Sequence, residues 1–148
     1  MSTQTQTRRQ GRGRVEASPG LDPKVRELAT GPNFAAVSTL LPSGRIQTQP
    51  IWVTAGDDFL YLNTEVHRAK FRNVERDPRI TVMIWDRDNP YAYVEVRGRV
   101  VETVRGDAAR RMIDDLSQKY NGRPYPPDAI QSERVILTIE PEQQRVQG

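Results

Sequence analysis

The sequence predicts a mainly β domain of the α+β class: a small antiparallel barrel of six strands with short flanking helices. Three observations predict it. Strand-like segments follow one another across short turns, which antiparallel pairing permits; parallel pairing would need a helix-length crossover each time. Only three segments carry helical signals, and none is long. The segment Tyr91–Val104 alternates cleanly, with Val94, Val96 and Val100 on one face and Glu95, Arg97 and Arg99 on the other.

The elements follow in order. Residues 1–20 combine Gly, Gln, Ser, Thr and Arg without apolar periodicity, which predicts a disordered basic leader before one domain over 21–148. Pro23–Thr30 reads as a helix, with Asp22 before it, Pro23 at its favoured first position and Gly31-Pro32 ending it. Phe34–Leu40 and Ile46–Thr54 read as a hairpin around Leu41–Arg45. Pro50 lacks a donor, so the second strand should be bulged or at an edge there.

After the turn Ala55–Asp58, Phe59–Leu62 is a strand. Asn63 and Thr64 are good N-cap residues and Glu65 suits a first helical turn, predicting a helix through Val66, Ala69, Phe71 and Val74. Asp77-Pro78 stops it. Arg79–Trp85 is a strand with apolar residues on both faces. One face fills a barrel and the other needs a cover, which predicts a homodimer. In Tyr91–Val104, Gly98 marks a bend or a close approach. Asp107–Tyr120 is an amphipathic helix with Ala109, Met112, Ile113, Leu116 and Tyr120 on one stripe. Asn121–Asp128 is irregular, Arg134–Glu140 is the last strand, and the tail after Pro141 is polar.

Composition excludes several chemistries. The 148 residues contain no cysteine and one histidine, His67, so thiolate, disulfide, iron–sulfur and multi-histidine metal sites are ruled out. No apolar run approaches the ~20 residues of a membrane helix and no signal-peptide region opens the chain, so a cytoplasmic protein without a membrane span is expected. The formal charge of +3 belongs to the leader: Arg8, Arg9, Arg12 and Arg14 face only Glu16, and the remainder has 18 basic and 18 acidic residues. The leader has no interleaved aromatics to stack bases, so a nucleic-acid partner is not expected. No nucleophile–base constellation is visible, which argues against hydrolysis. The chemistry that stands out is Arg68-Ala69-Lys70, two cations in the first helical turn, a pattern suited to phosphate.

Taken together, FAAVSTLLPSGRIQTQPIWV, FLYLNTEVHRAKFRNVERDPRITVMIWD and YVEVRGRVVE resemble the split β-barrel flavin and deazaflavin enzymes, the pyridoxamine 5′-phosphate oxidase-like superfamily. The resemblance spans about residues 22–146. The spacing Arg68-x-Lys70-x-x-Asn73 followed by Arg76-Asp77-Pro78 is most similar to the branch that uses the deazaflavin coenzyme F420. It implies an FMN-binding split-barrel type of fold in which Gln47, Thr48, Gln49, Pro50, Ile51 and Trp52 line the ring of the cofactor. It places Leu62, Asn63 and Thr64 beside the ribityl chain, and Arg68, Lys70 and Asn73 at the phosphate. It also implies a cofactor near a subunit interface.

The expected function is an F420H2-dependent reductase delivering hydride to an electron-poor small molecule. The alternatives are an FMN-dependent oxidoreductase of the same fold and a non-catalytic F420-sequestering protein. Vitamin B6 oxidation is disfavoured, because no late histidine accompanies the late arginines Arg134 and Arg145. Tyr91, Tyr93, Tyr120 and Tyr125 stand as possible proton donors, against packing as the commoner role of a barrel tyrosine. Trp52 and Trp85 suit either stacking on a ligand or core packing.

Overall fold

The computed structural model describes residues 20–148; the basic leader lies outside them. The strands are β1 (Phe34–Leu40), β2 (Ile46–Ile51), β3 (Val53–Ala55), β4 (Leu60–Glu65), β5 (Arg79–Asp86), β6 (Asn89–Arg105) and β7 (Arg134–Gln147). The helices are α1 (Pro23–Thr30), α2 (Ala69–Arg76) and α3 (Asp107–Asn121). The strands form one antiparallel sheet in the order β2-β1-β5-β6-β7-β4-β3. Its two edge strands, β2 and β3, are consecutive in the chain and separated only by Trp52. The sheet therefore curls until its edges meet at that residue, giving a split half-barrel.

The count is seven strands rather than six, because the segment expected as one strand over Ile46–Thr54 is cut at Trp52. Pro50 sits on edge strand β2 and its register with β1 runs unshifted from Ala35↔Ile51 to Leu40↔Ile46. Edge placement, not a bulge, is how the missing donor is tolerated. The break comes two residues later.

Two other boundaries differ from expectation. Asn63, Thr64 and Glu65 do not cap a helix; they continue β4, paired with Ile136, Val135 and Arg134. Six cross-strand partners outweigh a local capping preference, and α2 begins at Ala69 behind Arg68 with no side-chain cap. The polar tail after Pro141 also joins the sheet, since β7 runs to Gln147 alongside β6. Pro141 lies where the register shifts between Arg97 and Gly98, so its missing donor falls at a bulge.

The core is apolar and continuous: Val37, Val53, Leu60, Leu62, Val82, Ile84, Val94, Val96, Leu137 and Ile139 are fully buried inside the curl. Helix α1 closes one end, with Asp22 Oδ1 accepting from the Lys24 N–H at 2.8 Å as its N-cap and Val25, Leu28 and Ala29 facing inward. Gly98 marks the close approach its position suggests. A Cβ there would stand 2.1 Å from the Glu140 carbonyl oxygen, so no other residue fits without moving β7. Helix α3 lies across the β4–β7 half with Ala109, Ile113, Leu116 and Ser117 buried, bracketed by Gly106 and Gly122 at positive φ. Among the described residues no helix is long and apolar enough to cross a membrane.

Candidate functional site

The split in the barrel makes the site. Leaving the sheet at Trp52 turns that side chain out of the strand alternation and into the gap between the edges. There it stacks on Tyr120 of α3, with centroids 5.2 Å apart and planes 5° from parallel, and meets Tyr125 edge-on at 6.1 Å. A cavity of about 450 Å³ opens beside this cluster. Pro50 and Ile51 of β2, Phe34 of β1, Trp85 of β5 and Ile113 of α3 complete its apolar wall, and Asn63 and Arg134 supply its polar end.

The wall is rigid because its polar tips are satisfied away from the cavity. Tyr120 Oη donates to the Asn33 carbonyl at 2.8 Å and accepts from the Val53 N–H at 3.3 Å. Burial pushes its phenol above the ordinary range, even though the Val53 contact opposes this. The adjacent Lys119 donates to the carbonyls of Ala29 and Val53 at 2.9 and 2.6 Å, so the end of α3 clasps both α1 and the open edge of β3.

At the other end, cations gather. Arg134 Nε donates to Asn63 Oδ1 at 2.8 Å and Nη1 to Glu65 Oε2 at 3.2 Å. Its guanidinium stands 5.3 Å from the Tyr125 ring centroid. Burial raises the Glu65 carboxyl, but the N–H groups of Ser132 and Gln131 and the Arg134 charge outweigh it and hold the carboxyl below its usual range. Lys70 is only 9% exposed and makes no hydrogen bond or ion pair among the described residues. Burial, then the charges of Arg68 and Arg134, push its ammonium below its ordinary pKa. A buried cation flanked by two other cations at the start of a helix has no counterion among the described residues.

The residues expected at a site divide as follows. Pro50, Ile51, Trp52 and Asn63 line the cavity. Arg68 and Lys70 lie together at the start of α2, near Arg134. Leu62 is wholly buried in the core, and Thr64 is buried beside Val135. Asn73 Nδ2 donates to Thr39 at 3.0 Å and Gln47 at 3.2 Å, while its oxygen accepts from Arg76, so it ties α2 to β1 and β2. Thr48 shares a hydrogen bond with Ser38, and Gln49 is half-buried on the same strand.

Sequence reasoning did not assign Arg134, Ile113 or Phe34 to the site. For Arg134 a signal existed: it is a charge opening the otherwise apolar run Val135–Ile139, and Glu65 is the matching charge closing β4. Of the four tyrosines considered as proton donors, Tyr120 and Tyr125 line the cavity, whereas Tyr91 is 84% exposed. No cluster of His, Cys, Asp or Glu suited to a metal occurs among the described residues.

Residues 21–148 match the pyridoxamine 5′-phosphate oxidase family. Among solved structures, an F420 reductase is 29% identical with a TM-score of 0.73, covering 81% of this chain and 94% of the other. A conserved hypothetical protein from Mycobacterium tuberculosis is 22% identical with a TM-score of 0.69, covering 91% and 89%. General stress protein 26 from Bacillus anthracis is 18% identical with a TM-score of 0.62, covering 84% and 91%. The last two share the fold. No curated protein matches the sequence.

Proposed function

The chain belongs to the pyridoxamine 5′-phosphate oxidase family, and on that premise we propose that it is a flavin- or deazaflavin-binding oxidoreductase, specifically an F420H2-dependent reductase of an electron-poor small molecule. One observation carries the reading: an aromatic-walled cavity has Arg134 at its polar end, and Arg134 in turn acts on a buried Lys70 that has no counterion among the described residues. That arrangement suits a ligand with a flat ring at one end and an anion at the other. The cavity volume of about 450 Å³ falls within the roughly 300–1,000 Å³ typical of small-molecule sites. The resemblance to an F420 reductase supports the deazaflavin over FMN.

The bound coenzyme supplies the hydride, and the chain supplies position and charge. Trp52, held flat by Tyr120, orients the ring, with Pro50 and Ile51 closing one side. Gln47, Thr48 and Gln49 continue that edge strand. Asn63 offers polar contact to the middle of the ligand, with Leu62 and Thr64 fixing its strand. Arg68 and Lys70 hold the phosphate, while Asn73 keeps α2 against β1. The apolar walls exclude water from the reacting face.

The assembly follows from the outward face of β1 and β5, where Phe34 is 51% and Met83 37% exposed beside Trp85. A second copy covering this face makes a homodimer with the cavity mouth near the interface. Light scattering at micromolar concentration is expected to give twice the chain mass; a monomer overturns this part.

The deciding experiment is a pair of fluorescence titrations, with coenzyme F420 and with FMN. Tight F420 binding with weak FMN binding supports the deazaflavin reductase and directs screening to enones and quinones. The reverse preference moves the protein to FMN chemistry. Tight F420 binding with no turnover of any acceptor indicates a sequestering protein.

A further inference from the structure

We propose that Arg134 selects phosphorylated over unphosphorylated ligands in this cavity, and that Glu65 is the positioning residue that holds its guanidinium at the wall. The proposal rests on the flavin- or deazaflavin-binding reading above and adds a specificity determinant to it.

Among the described residues, Arg134 is the one charged side chain lining the cavity. It is 8% exposed; its guanidinium stands 5.3 Å from the Tyr125 ring centroid, and its hydrogen bonds to Asn63 and Glu65 both go to β4, the neighbouring strand. Those contacts use Nε and Nη1, whereas a guanidinium carries five N–H donors in a fixed fork suited to phosphate oxygens.

The charge balance points the same way. Glu65 is wholly buried, and one of its oxygens, Oε1, already accepts from the N–H groups of Gln131 and Ser132 at 2.6 and 2.7 Å. The one carboxylate, Glu65, pairs with Arg134, while the buried Lys70 and the surface Arg68 lie close enough for their charges to act on one another and on Arg134. The cluster is one negative charge short in its buried part and two short with Arg68 included. The phosphate of a bound ligand, with one negative charge as a diester and close to two as a monoester near neutral pH, restores neutrality in the buried part. A neutral polyol cannot. The difference between the two ligands therefore passes through Arg134.

The test compares dissociation constants for FMN and riboflavin by flavin fluorescence, using wild-type protein and the variants R134Q, R134K and E65Q. The same ratio is read with coenzyme F420 and its phosphate-free riboside if only deazaflavins bind. The wild type is expected to prefer the phosphorylated ligand. R134Q should cut that preference roughly tenfold, the size of a lost charge-assisted contact, because FMN affinity falls by that much more than riboflavin affinity. R134K, which keeps the charge and loses the fork, should fall between. E65Q removes a negative charge, which by itself favours an anion, so a fall in the preference despite that, smaller than in R134Q, marks the lost positioning of Arg134, and the double variant should match R134Q.

A residue with only a structural role weakens both ligands alike, so equal losses in R134Q overturn the proposal. If R134Q does not fold, an unchanged preference in R134K and E65Q overturns it. Wild-type protein that binds both flavins equally also overturns it and leaves the cofactor reading intact. Binding of no flavin or deazaflavin overturns both.

Discussion

Two lysines, Lys70 buried and Lys119 half-buried, sit at opposite ends of the site and mean different things. Lys119, at the end of α3, has two backbone carbonyls as partners and no charge pressing on it; burial alone lowers its pKa, to about 8. Lys70, at the start of α2, has no partner among the described residues, and the neighbouring cations Arg68 and Arg134 add to its burial. The first is a clasp that holds Trp52 and its wall in place. The second is a buried charge without a counterion among the described residues, the one the proposed phosphate would supply. Burial and a lowered pKa do not separate a structural lysine from a binding one; the identity of the neighbours does.

The largest expected effect tests the binding lysine. Replacing Arg68 and Lys70 together with Ala should weaken cofactor binding by ~2–4 kcal/mol. Thermal stability without ligand should not fall, because the change removes like-charge repulsion. Unchanged affinity in the folded double variant removes the phosphate seat, and a large loss of Tm makes Lys70 structural like Lys119.

K119M should show the opposite profile. Leaving the Ala29 and Val53 carbonyls without a donor costs about 1–3 kcal/mol of stability, measured by denaturant unfolding. Riboflavin and FMN affinities should then shift together through Trp52, with no change in the preference for phosphate.

A smaller effect is read in pH. Lys119 has a folded pKa of about 8 against 10.5 for the ordinary side chain. Between these values the unfolded chain binds the extra proton, so stability rises with pH across the window. Its contribution is unfavourable below about pH 8 and is relieved as pH climbs toward 10.5. Unfolding curves between pH 8 and 9.5 should show this slope in the wild type and a lesser one in K119M; identical slopes break the assignment. Lys70 behaves differently, because a bound phosphate raises its lowered pKa. Cofactor binding should therefore take up a proton and weaken as pH rises, which calorimetry in buffers of different ionisation enthalpy detects.

The smallest effect comes from a control outside both ends. Asp77 and Arg79 approach to 2.7 Å, closer than Glu65 and Arg134, yet both are solvent-accessible. Hydrogen bonds from Arg79 hold the Asp77 carboxyl at about 2. Water screens such a pair, so D77N should leave ligand affinity and Tm essentially unchanged. A marked loss of affinity would show that charge balance around α2 reaches beyond the buried cluster.

Much of this was legible in the chain. The alternation of Val94, Val96 and Val100, the Pro23 start of α1 and the Asp77-Pro78 stop of α2 are local signals, and each reappears in the fold. Arg68 and Lys70 were legible for the same reason, since a pair two residues apart at a helix start needs no distant partner to define it. Asn63 to Glu65 misled because their capping preference is local, worth about 1 kcal/mol, while pairing with β7 involves residues some 70 positions away. The tail beyond Pro141 misled likewise: its polarity marks an exposed face, not the absence of a strand.

By itself, then, the sequence determined the antiparallel β character, the short helices, the absence of thiolate and multi-histidine metal chemistry, and the cation pair of α2. These follow from periodicity, turn chemistry and composition, which act over a few residues. Only the tertiary structure decided that the chain would break at Trp52 to join the two sheet edges, that Tyr120 and Tyr125 would wall the gap, and that Arg134 would face Glu65. Those outcomes depend on register between strands distant in sequence. A shift of one residue in β7 would turn Arg134 to the opposite face of the sheet.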